Sequence, residues 1–208
     1  MREKQVADLL LSIKAVTLRP DNPFTWSSGI KSPIYCDNRL IMSFPEQRRR
    51  VIDYFVSYIQ EHFPDVEVLA GTATAGIPHA AWIADRMDLP MIYVRSSSKG
   101  HGKQNKIEGM LETGKKVLVI EDLISTGGSS IEAAKAVEAS GGKVIGVCSI
   151  FTYELPSAKE AEHSVGYPLK SLTTYSILLN MAADQGIINE SDVEILQDWS
   201  KDPEGWLG

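Results

Sequence analysis

The sequence predicts an α/β protein: a mainly parallel, twisted sheet flanked by helices. Three observations carry that expectation. Short apolar, β-branched runs alternate with helically spaced segments from about residue 66 to residue 151, and such alternation implies a parallel sheet with right-handed crossovers. The run Val117 to Ile120 is apolar at every position, as in a strand buried on both faces. The chain has 208 residues, 43% of them apolar and 23% charged, which suits one domain with a sizeable core.

The elements follow in chain order. Val6, Leu9, Leu10 and Ile13 fall at helical spacing, so residues 3–16 predict an amphipathic first helix. Residues 24–39 mix Pro, Gly and Ser with aromatics and read as a loop with short strands. Ser43, with Glu46 three residues on, has the form of a capping box. It is expected to open a helix reaching about His62, with Val51, Tyr54, Phe55, Tyr58 and Ile59 as its buried stripe. Val66–Ala70 should be a strand, Gly71–Gly76 a loop, Ile77–Met87 a helix and Pro90–Val94 a strand. Lys116–Ile120 should be the central strand, Ser129–Ser140 its helix and Lys143–Phe151 a further strand. Two helical patterns close the chain, near residues 174–186 and 191–200.

Formal net charge is −6, which argues against a general nucleic-acid binder. No apolar run approaches a membrane span and the first residues lack a signal-peptide pattern, so a cytoplasmic location is expected, with no membrane partner. Cys36 and Cys148 suggest neither a disulfide framework nor a metal site. Against the acidic background, Arg95, Lys99, His101, Lys103 and Lys106 form a basic island without an acid. Such an island suits a small anionic ligand, and its lack of hydrophobic anchors suits a mobile lid.

Ligands of parallel sheets bind beyond the carboxyl ends of the strands. Three candidate loops lie at such ends: Gly71–Gly76, Arg95–Lys106 and Glu121–Ser129. The third is the most informative. Glu121 and Asp122 directly follow the central strand, and Ser125, Thr126, Gly127, Gly128 and Ser129 lead into a helix. A glycine- and hydroxyl-rich loop at a helix start binds anions through backbone N–H groups and the helix dipole. Adjacent carboxylates would repel a phosphate there unless they face sugar hydroxyls or a magnesium ion. An ordinary βα turn accounts for the glycines and serines but not for the paired acids.

The stretch VLVIEDLISTGGSS resembles the phosphoribosyl-diphosphate (PRPP) motif of type I phosphoribosyltransferases. The resemblance implies the type I core, with Glu121 and Asp122 holding the ribose 2′- and 3′-hydroxyls. Leu123, Ile124, Ser125, Thr126, Gly127, Gly128 and Ser129 then wrap the 5′-phosphate. It also implies that Thr72 and Thr74, in a loop without the lysine many relatives carry, meet the pyrophosphate with backbone N–H groups. The stretch RSSSKGHG, residues 95–102, resembles the catalytic loop of the orotate phosphoribosyltransferases. Arg95, Lys99 and His101 would there act on pyrophosphate in the neighbouring subunit's site. Many relatives have a second lysine where Ser96 stands, so charge here is reduced or supplied by Lys103 or Lys106.

Residues 25–39, TWSSGIKSPIYCDNR, resemble the N-terminal hood of the same family. Lys31, Tyr35, Cys36 and Ser125 would face orotate by position. Relatives carry a lysine at Ser27, two aromatics where Tyr35 and Cys36 stand, and an arginine near Thr152-Tyr153-Glu154. The resemblance therefore implies one domain over residues 1–208, with a hood of about 1–42 plus C-terminal residues and a core of about 43–170. It implies transfer of the 5-phosphoribosyl group from PRPP to orotate, with Lys99, His101 and Asp122 as catalytic residues. Mg2+ would be bound mainly through PRPP near Glu121 and Asp122, in a homodimer with shared sites. A transferase acting on another base would lose the hood, and a PRPP-sensing transcription regulator would carry a DNA-binding element. Neither pattern is seen in the sequence.

Overall fold

The structure is a computed structural model that describes residues 1–25, 29, 31–96 and 106–206. Helix α1 (Arg2–Ser12) leads to four short strands: β1 (Val16–Leu18), β2 (Phe24–Thr25), β3 (Lys31–Ser32) and β4 (Ile34–Cys36). A 3-10 helix, Asn38–Ser43, then delivers the chain to α2 (Pro45–His62). The next elements are β5 (Val68–Thr72), α3 (Gly76–Met87), β6 (Met91–Val94) and β7 (Ile107–Glu108). They are followed by β8 (Lys116–Ile120), β9 (Leu123–Ile124), α4 (Gly128–Ala139) and β10 (Lys143–Thr152). The chain continues through α5 (Pro156–Val165), β11 (Leu169–Thr174), α6 (Tyr175–Asp184) and α7 (Glu190–Lys201).

The main sheet runs β11-β10-β8-β5-β6-β7, with β9 also paired to β10. Its pairs are parallel except β6–β7. The expected α/β architecture is therefore present, and its cause is visible in β8. Leu118 and Ile120 point into a core shared with α1, α2, α3 and α6. Val117 and Val119 point the other way, against Ala133, Ala134 and Val137 of α4. Side chains alternate faces along a strand, so an all-apolar strand is stable only with cover on both sides. Each such side chain contributes about 1.5–3 kcal/mol on burial. Glycine matters where α3 meets this strand: a Cβ on Gly76 would strike the carbonyl oxygen of Ile120, and one on Gly71 would lie 2.9 Å from the Cα of Ile77.

Several sequence expectations shift. Helix α2 ends at His62 as anticipated, but the capping box at Ser43 does not form. Phe44 stands at the cap position without a side-chain bond, because Ser43 still belongs to the 3-10 helix and Pro45 opens α2. A proline at a first turn loses no helical hydrogen bond. The buried stripe of α2 is Val51, Ile52, Phe55 and Ile59, with Tyr54 and Tyr58 only partly covered. Strand β5 starts two residues later than expected, because Glu67 accepts from the Lys116 N–H at 2.9 Å and from Lys115 Nζ at 3.0 Å. It extends through Gly71 and Thr72, paired with Ile120 and Val94. Helix α5 and strand β11 carry too many polar residues for periodicity to reveal them.

The two ends of the chain meet beside the sheet. β1 pairs with β4, and β2 with β3, both antiparallel. Trp199 of α7 is fully buried and donates its indole N–H to the Lys31 carbonyl at 3.0 Å. Tyr175 donates to the Leu196 carbonyl at 2.9 Å, and the rings of Tyr153, Tyr175 and Trp199 meet edge to face.

Candidate active site

Strand β8 delivers Glu121 and Asp122 to the carboxyl edge of the sheet. The Glu121 N–H donates to the Cys148 carbonyl at 3.0 Å, so β10 fixes where the acid pair starts. Glu121 is buried; its carboxylate accepts the Asp122 N–H at 3.2 Å and more distant hydroxyls of Ser129 and Ser130 at 3.4 Å. Burial raises the pKa of Glu121 and of Asp122, and the neighbouring carboxylate adds to the rise at Glu121. Two adjacent carboxyls out of water favour holding a proton until hydroxyl donors or a cation arrive.

Leu123 and Ile124 form β9, opposite Phe151 and Thr152. The Ile124 side chain is buried in the core, so only its backbone can face a ligand. Ser125 and Thr126 turn the chain into α4. Gly127, at φ +83°, caps α4 in the left-handed region that favours glycine. No side chain caps this helix start. The first-turn N–H groups at Gly128 and Ser129 therefore suit an external anion.

The end of β5 supplies the opposite wall. Thr72 is buried and its hydroxyl has no hydrogen-bond partner, whereas Thr74 is exposed beyond a cis peptide bond between Ala73 and Thr74. Thr72, Ala73, Arg95, Ser96, Lys106 and Ser129 line one cleft. Arg95 Nη1 donates to Glu108 at 3.4 Å. Lys99 and His101 lie outside the described residues.

On the side of the N-terminal strands, Lys31 Nζ donates to the Thr25 hydroxyl at 2.8 Å. Tyr35 is 43% exposed, with its ring 5.6 Å from that of Phe24. Cys36 donates to Asn38 Oδ1 at 3.4 Å, and burial, with Asp122 and Asp37 nearby, pushes its thiol pKa up. A thiol so shifted is not poised as a nucleophile. Asn38 was not anticipated from sequence. It is buried, and its amide donates to the Asp122 carbonyl at 2.7 Å, joining the N-terminal segment to the acid pair. An asparagine between an aspartate and an arginine carries no local signal for a bond across 84 residues.

The stretch after β10 has a different use from the arginine position of relatives. Tyr153 is buried in the aromatic cluster, and Glu154 accepts from the Ser176 N–H at 2.7 Å and the Ser176 hydroxyl at 2.5 Å.

Comparisons with known proteins agree with this geometry. Residues 45–173 match the family described as phosphoribosyl transferase domain. The orotate phosphoribosyltransferase of Enterococcus faecalis is 56% identical over 203 residues, covering 98% of this chain and 97% of that protein. The solved orotate phosphoribosyltransferase of Aeropyrum pernix superposes with a TM-score of 0.76 at 26% identity, covering 88% of this chain and 99% of that one. The Leishmania donovani UMP synthase superposes at 0.81 with 25% identity over 96% of this chain, which spans 42% of that longer protein. The chain belongs to the phosphoribosyl transferase domain family, among the orotate phosphoribosyltransferases.

Proposed function

We infer that the protein is an orotate phosphoribosyltransferase, a pentosyltransferase that moves the 5-phosphoribosyl group of PRPP to orotate, giving orotidine 5′-monophosphate and pyrophosphate in pyrimidine biosynthesis. The carrying observation is the acid pair, buried Glu121 and half-buried Asp122, set between a core strand and an uncapped helix start. Family membership at 56% identity supports it.

On this reading the α4 start and residues 125–129 hold the 5′-phosphate. Glu121 and Asp122 accept from the ribose hydroxyls and offset positive charge on the ring as the anomeric bond breaks. Thr72, Thr74 and Arg95 meet the diphosphate, and Lys99 and His101 act on it as it departs. Lys31, Tyr35, Cys36 and Ser125 face orotate. Orotate is already anionic, so no strong general base is required. Two adjacent, partly or fully buried carboxyls with raised pKa fit a cation brought in with PRPP. Magnesium so bound would neutralise charge on the leaving pyrophosphate. We read residues 1–208 as one domain whose N-terminal strands and C-terminal helices form the hood, in a cytoplasmic homodimer with shared sites.

The protein, PRPP, magnesium and a panel of bases, followed by orotate absorbance, test this. Orotate should react fastest; faster use of adenine, guanine, hypoxanthine or uracil would refute the assignment. Mixing Lys99→Ala and Asp122→Asn subunits tests the shared site. Each should be nearly inactive alone, and activity should return on subunit exchange.

A further inference from the structure

The buried Asn38 side chain touches two parts of the site at once. Its amide nitrogen donates to the Asp122 carbonyl at 2.7 Å, and its amide oxygen accepts from the Cys36 thiol at 3.4 Å. A backbone carbonyl can only accept, which fixes the amide with its nitrogen toward Asp122. The Phe151 N–H, a second donor to this carbonyl, stands off at 3.4 Å, and the Asp122 N–H meets the Glu121 carboxylate at 3.2 Å. The Asn38 bond is thus the shortest of the three that set the Asp122 backbone. Asn38 is anchored from its own side as well. The Asp37 N–H donates to the Ala15 carbonyl at 2.7 Å, and the Asp37 carboxylate accepts from the Arg39 N–H at 3.2 Å and from Arg39 Nε at 2.7 Å. Strand β4, which ends at Cys36, is paired with β1. Two anchored backbones bonded through one buried, satisfied amide hold a set separation.

We propose that Asn38 is a positioning residue for the transfer reaction: its amide sets β4, which faces the base, against Asp122, which faces the ribose. The proposal rests on the function inferred above and adds a residue that acts through its two neighbours. In that reaction a base nitrogen bonds to the anomeric carbon while the bond to the diphosphate breaks, and the electron pair leaves with the diphosphate. Its rate depends on how closely base and ribose are aligned, and a misplacement of one ångström is enough to slow it. Asn38 therefore governs the chemical step more than the affinity for either substrate.

The test uses the full chain with Asn38→Leu, which keeps the volume and removes both bonds, and Asn38→Ala, which also opens a space. Steady-state kinetics with PRPP, magnesium and orotate are measured beside calorimetric PRPP affinity and the melting temperature. Asn38→Leu should lower kcat about 10–100-fold, while the dissociation constant for PRPP and the KM for orotate change little. Asn38→Ala should show the same split. Unchanged kcat in Asn38→Leu overturns the proposal. So does weakened PRPP affinity with kcat retained, which would leave Asn38 only a part in shaping the ribose pocket. Unfolding of both variants at the assay temperature assigns Asn38 to the fold and overturns it too. Wild-type protein that does not transfer from PRPP to orotate overturns the functional reading itself, and this proposal with it.

Discussion

Strands β5 and β8 lie side by side in parallel register, Gly71 beside Ile120, and each runs straight toward a helix start. Their ends nevertheless offer different groups to solvent. The β8 end presents two carboxylates, several hydroxyls and a left-handed glycine. The β5 end presents small side chains and no charge, because α3 packs so closely that Gly71 and Gly76 cannot carry a Cβ without displacing backbone. On the proposed function, the strand ends of one sheet would divide the work: side chains for the sugar, backbone where the packing leaves only peptide groups. The cost differs too. Desolvated carboxylates cost the fold electrostatically, whereas close-packed glycines cost it only backbone entropy.

The largest expected effect breaks the β8 side. The double variant Glu121→Gln, Asp122→Asn should lose roughly 10²–10³-fold in kcat/KM for PRPP, as when a single transition-state contact is removed. It should also be more stable than wild type at pH 8. The folded-state pKa values are raised, so the protonated pair stabilises the fold below the ordinary carboxylate range, and that stability is lost as pH rises through the raised values. Undiminished kcat/KM, or a variant that is less stable at pH 8, would erase the contrast.

The β5 side carries a titrating group of opposite sign. His79 of α3 is fully buried, neither ring nitrogen has a partner, and burial lowers its pKa to about 4. The unfolded chain gains this proton first, so stability is full above about 6.5 and is lost as pH falls from there toward 4. That gap corresponds to about 3 kcal/mol. Urea midpoints measured from pH 7 to pH 4.5 should fall less in His79→Leu than in wild type; parallel curves would show that His79 is not responsible.

Packing between the two strand ends is the third target. Gly76→Ala should destabilise by about 1–3 kcal/mol, since the added methyl meets backbone. Gly128→Ala, whose nearest neighbour would be the Thr126 hydroxyl at 3.7 Å, should cost little. Chemical denaturation of the pair measures the difference, and equal stabilities would remove the argument from close approach.

The smallest effect concerns Thr72. Thr72→Val removes a buried hydroxyl that has no hydrogen-bond partner. Melting temperature should be unchanged or slightly higher, while the KM for PRPP rises several-fold. A melting loss without a kinetic change would assign Thr72 to the fold rather than to the ligand.

Much of this division was legible in the sequence. The acid pair, the hydroxyl and glycine loop and the apolar strand before them are contiguous, so local chemistry declared the β8 end. The α/β class followed from the alternation of strand and helix periods, and α3, α4, α6 and α7 appeared close to where periodicity put them, whereas α1, expected to reach residue 16, ends at Ser12 because Val16 joins β1. The β5 end was readable only as a small-residue turn, because the reason for its glycines lies in contacts with another strand.

What tertiary structure alone decided shares one physical cause: these features are pairings across long stretches of chain that leave no local period. The Asn38 bond to Asp122, the Trp199 bond to Lys31 and the Glu67 bonds that delay β5 are of this kind. So is the joining of Thr72, Arg95, Lys106 and Ser129 in one cleft. The sequence by itself determined the fold class and the chemistry of one strand end, since burial periodicity and adjacent functional groups are local properties. Which distant groups complete the site depended on how the sheet orders its strands and how closely α3 and α4 approach them.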